Sequence, residues 1–130
     1  MDAATTLKIS AAVFALYGVL QFPDTGIPLI DMTLKSHPTQ NSIFYNDVAP
    51  MTDSNKGAYR WTGVSFLALA GFTNLAAEGD VDTQKAACKW MACVQAMNVA
   101  LMIINRHPIS CGGPIVTPIL GALCAANGFF

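Results

Sequence analysis

KWMACVQAMNVALMIINR, residues 89–106, places sixteen uncharged residues between Lys89 and Arg106. As a helix rising about 1.5 Å per residue, those sixteen cover roughly 24 Å. A hydrocarbon core is about 30 Å thick. Extending the helix back to Ala86, with Lys89 snorkelling to the interface, closes the gap. Met91, Gln95, Asn98, Met102 and Asn105 recur at steps of four and three, so they share one face. Amides on one stripe of an apolar helix need partners, because lipid offers none. The pattern predicts a central helix whose polar stripe turns inward or toward a ligand.

Composition carries the same message outward from that stretch. Hydrophobic residues make up 53% of the 130 and charged residues 12%, about half of a soluble chain's roughly 25% charged. Apart from Lys8 and the lone Arg106, the fixed charges beyond Asp2 fall in two clusters, Asp24 to Arg60 and Glu78 to Lys89. A soluble protein spreads charge over its surface. Segregation on this scale favours a membrane protein, with a soluble all-α protein of buried helices as the alternative. A net charge of −1 and the lack of any basic run give no case for nucleic acid.

Four spans are predicted, over residues 3–22, 61–77, 86–105 and 114–130. The start has no basic n-region, so Ala3 to Phe22 reads as a first span and not as a signal peptide. Ala11, Ala15 and Gly18 form a small-residue seam on it, which lets a second helix come close. Tyr59, Arg60 and Trp61 anchor the second span at the interface. Glu78 to Lys85 is a short turn, which predicts that spans two and three lie side by side, with Asp82 or Thr83 capping the third. Pro114 suits the first turn of the last helix, and Pro118 should kink it or keep its first turn irregular. Gly121 with Ala125, and Ala122 with Ala126, are further small-residue pairs. The long connection, residues 23–59, is too apolar for disorder and is expected to fold as a cap, with a short interfacial helix near Leu29 to Lys35. The expected fold is therefore an all-α integral membrane bundle of four short transmembrane helices with a long ordered loop, in one domain.

Catalytic chemistry would need ionisable groups at membrane depth. Spans two, three and four have none, so no enzyme is expected. His37 and His107 both fall on the loop side, but far apart in the chain. The four cysteines, Cys88, Cys93, Cys111 and Cys124, show no CxxC and no zinc spacing, and read as small apolar residues. The polar groups within spans are amides, chiefly Asn74, Gln95 and Asn98. Their ordinary role is hydrogen bonding between helices. Their sharper role is ligation of a chlorophyll magnesium, a hard cation that takes an amide oxygen, with Gln95 first, then Asn98 and Asn74. The loops show no inside-positive bias, with three cations on the terminal side against four opposite, which fits organellar or assembly-guided insertion.

This layout of spans resembles two groups. Four short spans with a long first connection and a tight second one look like DoxX-type small membrane proteins. That resemblance implies a transporter or small enzyme with a polar cavity lined by Asn74, Gln95 and Asn98. Low charge, absent orientation bias and a structured long loop are also similar to the small accessory subunits at the edge of photosystem I in algae with secondary plastids. That second resemblance implies a thylakoid location in a chloroplast, chlorophyll and carotenoid neighbours, other membrane subunits and lipid as partners, and a role bridging core and antenna.

Overall fold

Asp2 starts the first helix by direct capping. Its carboxylate accepts the Thr5 amide hydrogen at 2.7 Å, and its carbonyl accepts from the Thr6 amide at 3.1 Å. That satisfies donors every helix leaves open at its first turn. Helix α1 then runs Ala3–Leu20. The structure, a computed structural model, describes residues 1–20, 22, 53–104 and 113–130. Within these residues three more helices follow: α2 at Asp53–Ala77, α3 at Val81–Ile104 and α4 at Gly113–Gly128. No strand occurs among the described residues. The fold is all-α.

The boundaries differ from the sequence reading in physically clear ways. Helix α2 starts eight residues before Trp61 and so takes Asp53 to Tyr59 out of the long connection. No proline interrupts that stretch. The rest of the connection, including the expected short helix near Leu29 to Lys35, lies outside the described residues. Helix α3 starts at Val81, and its cap is Asp80, not Asp82 or Thr83. The Asp80 carboxylate accepts the Thr83 amide hydrogen at 2.8 Å, and its carbonyl takes the Gln84 amide at 2.9 Å. Gln84 reaches back the other way, donating to the carbonyls of Ala77 at 3.1 Å and Gly79 at 2.9 Å. One turn of three residues thus closes α2 and opens α3. Pro118 is accommodated inside α4.

The helices pair as α1 with α2 and α3 with α4. Helix α1 joins the two pairs by touching both α3 and α4. The expected side-by-side packing of the second and third helices is replaced by contact that is slight and far weaker than either main pair. Glycine explains the pairing chosen. At the α1–α2 crossing, a Cβ on Gly63 would sit 2.9 Å from the Gly18 carbonyl oxygen and 2.6 Å from the Phe22 ring. A Cβ on Gly18 would meet the Gly63 carbonyl oxygen at 3.0 Å. Only two bare backbones approach this closely. The seam read from Ala11, Ala15 and Gly18 is therefore a helix interface, with Gly63 as its missing half. Below it, Phe66 of α2 stacks on Phe14, centroids 6.2 Å apart, and meets Tyr17 edge-on at 6.1 Å.

The α3–α4 pair uses Gly121 and Gly128 in the same way. A Cβ on Gly121 would lie 3.1 Å from Cβ of Gln95, and one on Gly128 would lie 2.7 Å from the Lys89 nitrogen. Of the two small pairs read from α4, Gly121 with Ala125 faces inward, while Ala122 and Ala126 are exposed. The core is built mostly from small side chains. Leu7, Phe14 and Met91 are its large members, beside Ala70, Ala77, Ala92, Cys88 and Cys124.

The large apolar side chains lie outside. Trp61 is 76% exposed, Trp90 74% and Phe72 71%. Each helix presents an uncharged stripe outward at helical spacing: Ile9, Ala12, Leu16 and Val19 on α1; Trp61, Val64, Ala68, Phe72 and Leu75 on α2. On α3 the stripe is Trp90, Cys93, Met97, Leu101 and Ile104, and on α4 Ile115, Ile119, Ala122 and Ala126. Helix α1 is long and apolar enough to cross a membrane by length and composition.

Candidate functional site

The interior of the bundle is where its polar side chains gather. Buried members include Thr6, Ser10, Thr73, Gln95 and Thr117. Two layers of them involve α3 or lie beside it.

The first layer is the amide stripe of α3. Met91 and Gln95 are buried and Asn98 is half-buried, so the stripe turns inward as its spacing predicts. Met102 and Asn105, its remaining members, have side chains outside the described set. Gln95 is 3% exposed and packs its Cβ toward Gly121 of α4, where a larger residue would intrude. Asn98 lies one turn on and donates its Nδ2 hydrogen to Oε1 of Gln95 at 3.4 Å. The two amides therefore hold each other, three residues apart on one helix. Asn98 keeps its own carbonyl oxygen as an acceptor.

Asn74 does not belong to this layer. It is exposed on α2, although Gly63 and Ala70 on its side of the helix are buried. Gln95 packs against α4 and not against α2, so Asn74 is not its partner. Beside Asn74, Thr73 is 3% exposed, and its hydroxyl oxygen lacks a hydrogen-bond partner among the described residues.

The second layer joins α1, α3 and α4 one to two turns nearer the chain termini. Asn127 donates from Nδ2 to Oγ1 of Thr6 at 3.0 Å and to the Leu123 carbonyl at 2.9 Å. The Thr6 hydroxyl donates in turn to the Asp2 carbonyl at 3.0 Å, and Ser10 donates to the Thr6 carbonyl at 2.9 Å. Ser10 Oγ also lies 3.9 Å from Sγ of Cys124, and Sγ of Cys88 lies 3.9 Å from the Ala3 carbonyl. Thr6, Ser10, Cys88 and Cys124 are all essentially inaccessible to solvent. Every polar group of this layer named here has a partner, which is what makes a buried polar cluster tolerable. Sequence reading missed it, because its members come from three helices. The available signal was the step of four from Thr6 to Ser10, beside the step of three from Cys124 to Asn127, each on the inward face.

Charge is confined to the ends. Lys8 and Glu78 pair at 2.9 Å in an exposed position, tying the start of α1 to the end of α2. Such a pair contributes little in water. Lys89 sits 5.8 Å over the Phe129 ring. The caps hold their carboxyls below the usual range: hydrogen bonds from Thr5 lower Asp2, and hydrogen bonds from Thr83 lower Asp80.

Among the described residues no group of three or more His, Cys, Asp or Glu side chains could hold a metal ion. His37, His107 and Cys111 lie outside the described residues. No protein family, curated protein or solved structure matches this chain.

Proposed function

We propose that the chain is a small helical membrane subunit that seats its polar, small-residue interior on itself and offers its apolar exterior to lipid and neighbouring subunits. One observation carries this reading. All four helices point large uncharged side chains outward, while hydroxyls, thiols and an amide are turned in. In water so many exposed large apolar side chains would be unfavourable, since soluble monomers keep contiguous apolar patches to a few hundred Å². In a bilayer the same distribution is the stable one, since interfaces there use small residues and hydrogen bonds and leave bulky apolar groups for lipid.

The dimensions support the reading. From Arg60 to Glu78, α2 carries no charge. Those eighteen steps span roughly 27 Å, close to a hydrocarbon core of about 30 Å. Trp61 lies beside Arg60 at one end, where interfacial aromatics belong. Lys8, Glu78, Lys85 and Lys89 gather toward the other end of the bundle, all exposed.

The finer proposal is an accessory role in a photosystem I–antenna assembly of a thylakoid membrane, bridging neighbouring subunits. It rests on the likeness of span layout. Pigment contact within that proposal falls to Asn98. Gln95 is too tightly packed against α4 to admit a macrocycle, whereas Asn98 is half-buried and its carbonyl oxygen suits a hard magnesium ion. Asn74, exposed on α2, is the second candidate.

Membranes solubilised in mild detergent and resolved by size test the proposal. The chain should co-migrate with an assembly far larger than 13.8 kDa, and with chlorophyll if the finer reading holds. Migration as a free, pigmentless chain would overturn both.

A further inference from the structure

Asn74 and Gly71 of α2 find no use inside the chain. Asn74 is exposed, and its amide has no hydrogen-bond partner among the described residues. It lies four residues inside Glu78, roughly 6 Å along the helix, and an asparagine side chain is too short to snorkel that far. An amide in hydrocarbon needs a partner. Ser65, the other exposed polar side chain between Arg60 and Glu78, already donates to the Trp61 carbonyl of its own helix at 2.9 Å. Gly71 is exposed as well, and a Cβ on it would meet nothing within 4 Å. Gly18 and Gly63 let α1 and α2 cross closely, whereas Gly71 weakens its helix without any such approach inside the chain.

Both residues lie on one stripe. Arg60, Val64, Leu67, Gly71, Asn74 and Glu78 recur at alternating steps of four and three, and all six are exposed. That is the heptad spacing of a helix-pairing seam, in which a single asparagine fixes register and the number of strands. The seam lies about 100° around α2 from its buried side of Gly63, Ala70, Thr73 and Ala77. We propose that α2 pairs with α2 of a second copy along this stripe, in a parallel two-fold dimer with Asn74 facing Asn74. The pairing rests on the membrane placement of α2, which gives all copies one orientation. A second copy is the matching occupant because an amide both donates and accepts, so two of them at equal depth satisfy each other. Gly71 lets the two backbones come close beside that bond. The like charges at the ends do not oppose it. Glu78 is held by Lys8 of its own chain at 2.9 Å, and the long Arg60 side chain swings out to water at the rim.

The test uses the full chain in native membranes with Cys93→Ser and Cys111→Ser, so that neither thiol can bridge chains. Leu67→Cys or Gly71→Cys places a thiol on the stripe, and Ala68→Cys or Phe72→Cys places one on the next face. Copper phenanthroline is added, and the chains are resolved without reductant. Leu67→Cys and Gly71→Cys should give a species of twice 13.8 kDa, and the other two variants should stay single. In phosphatidylcholine vesicles, adding Asn74→Leu to Leu67→Cys should weaken self-association about 5–30-fold, read from the chain-to-lipid ratio that gives half crosslinking. Asn74→Gln should keep most of the association. Equal crosslinking on both faces, or none from chain that stays in the carbonate-washed pellet, overturns the pairing and leaves the membrane placement standing. Recovery in the carbonate wash overturns the placement and the pairing together. Loss of chlorophyll with crosslinking unchanged by Asn74→Leu assigns that amide to pigment and overturns the pairing.

Discussion

Alanine at Gly63 tests the crossing on which the α1–α2 pair is built. The added methyl would lie 2.9 Å from the Gly18 carbonyl oxygen and 2.6 Å from Cε2 of Phe22. The Phe22 ring can swing aside. The Gly18 carbonyl cannot, because it is the backbone of α1, so the helices must part. Overpacking of this kind costs about 1–3 kcal/mol. Alanine also gains about 1 kcal/mol of helix propensity over glycine, which partly masks the clash. Gly71 removes that ambiguity. It lies in the same helix, and a Cβ there meets nothing within 4 Å. Gly71→Ala carries the propensity gain without the overlap, so the difference between the two variants isolates the crossing. Unfolding in mixed detergent, followed by circular dichroism, should find Gly63→Ala less stable than Gly71→Ala by about 1–3 kcal/mol. Equal stability would refute the close approach of α1 and α2.

Other expectations follow the same geometry. Gly18→Leu should disrupt the fold far more than Val19→Leu, since Gly18 is buried and Val19 exposed; thermal melts of the two variants decide it. Thr73→Val should raise stability by about 1 kcal/mol, because it removes a buried hydroxyl left without a partner among the described residues, and a fall in Tm would show that the hydroxyl is bonded. Gln95→Leu should lower stability by about 1 kcal/mol while pigment content holds, as the loss of a hydrogen bond and not of a ligand; Asn98→Leu is the variant expected to reduce co-purifying chlorophyll. For the caps the sign follows from carboxyls whose folded pKa lies below the unfolded value. Their contribution is present above the ordinary carboxylate range and is lost as pH falls through the depressed folded values. Helicity measured from neutral to acid pH should drop there, and Asp2→Ala with Asp80→Ala should flatten that part of the curve.

Much of the fold was legible because helix periodicity and breakers speak locally. Four helices, the inward turn of Met91, Gln95 and Asn98, and the seam at Ala11, Ala15 and Gly18 all come from spacing within one segment. Pairing did not. Gly79 and Asp80 make a tight turn, yet a tight turn fixes only where two helices meet, not how far they stay together. The decisive features were the glycines at positions 63, 121 and 128, whose value depends on a partner backbone supplied by another segment. The thiol–hydroxyl layer was hidden for the same reason, since Thr6, Ser10, Cys88, Cys124 and Asn127 lie on three helices and none is unusual alone. Asn74 looked equivalent to Gln95 in the sequence, being an amide in an apolar run. Only the side of α2 left uncovered by α1 makes it exposed.

Carbonate extraction of native membranes is the most direct measurement of the central claim, that the apolar exterior faces lipid. At high pH, peripheral and soluble chains are released into the wash. This chain should stay with the membrane pellet and leave it only with detergent. Recovery in the carbonate supernatant without detergent would contradict the account, because the outward stripes of Trp61, Phe72, Trp90 and Ile104 would then be facing water.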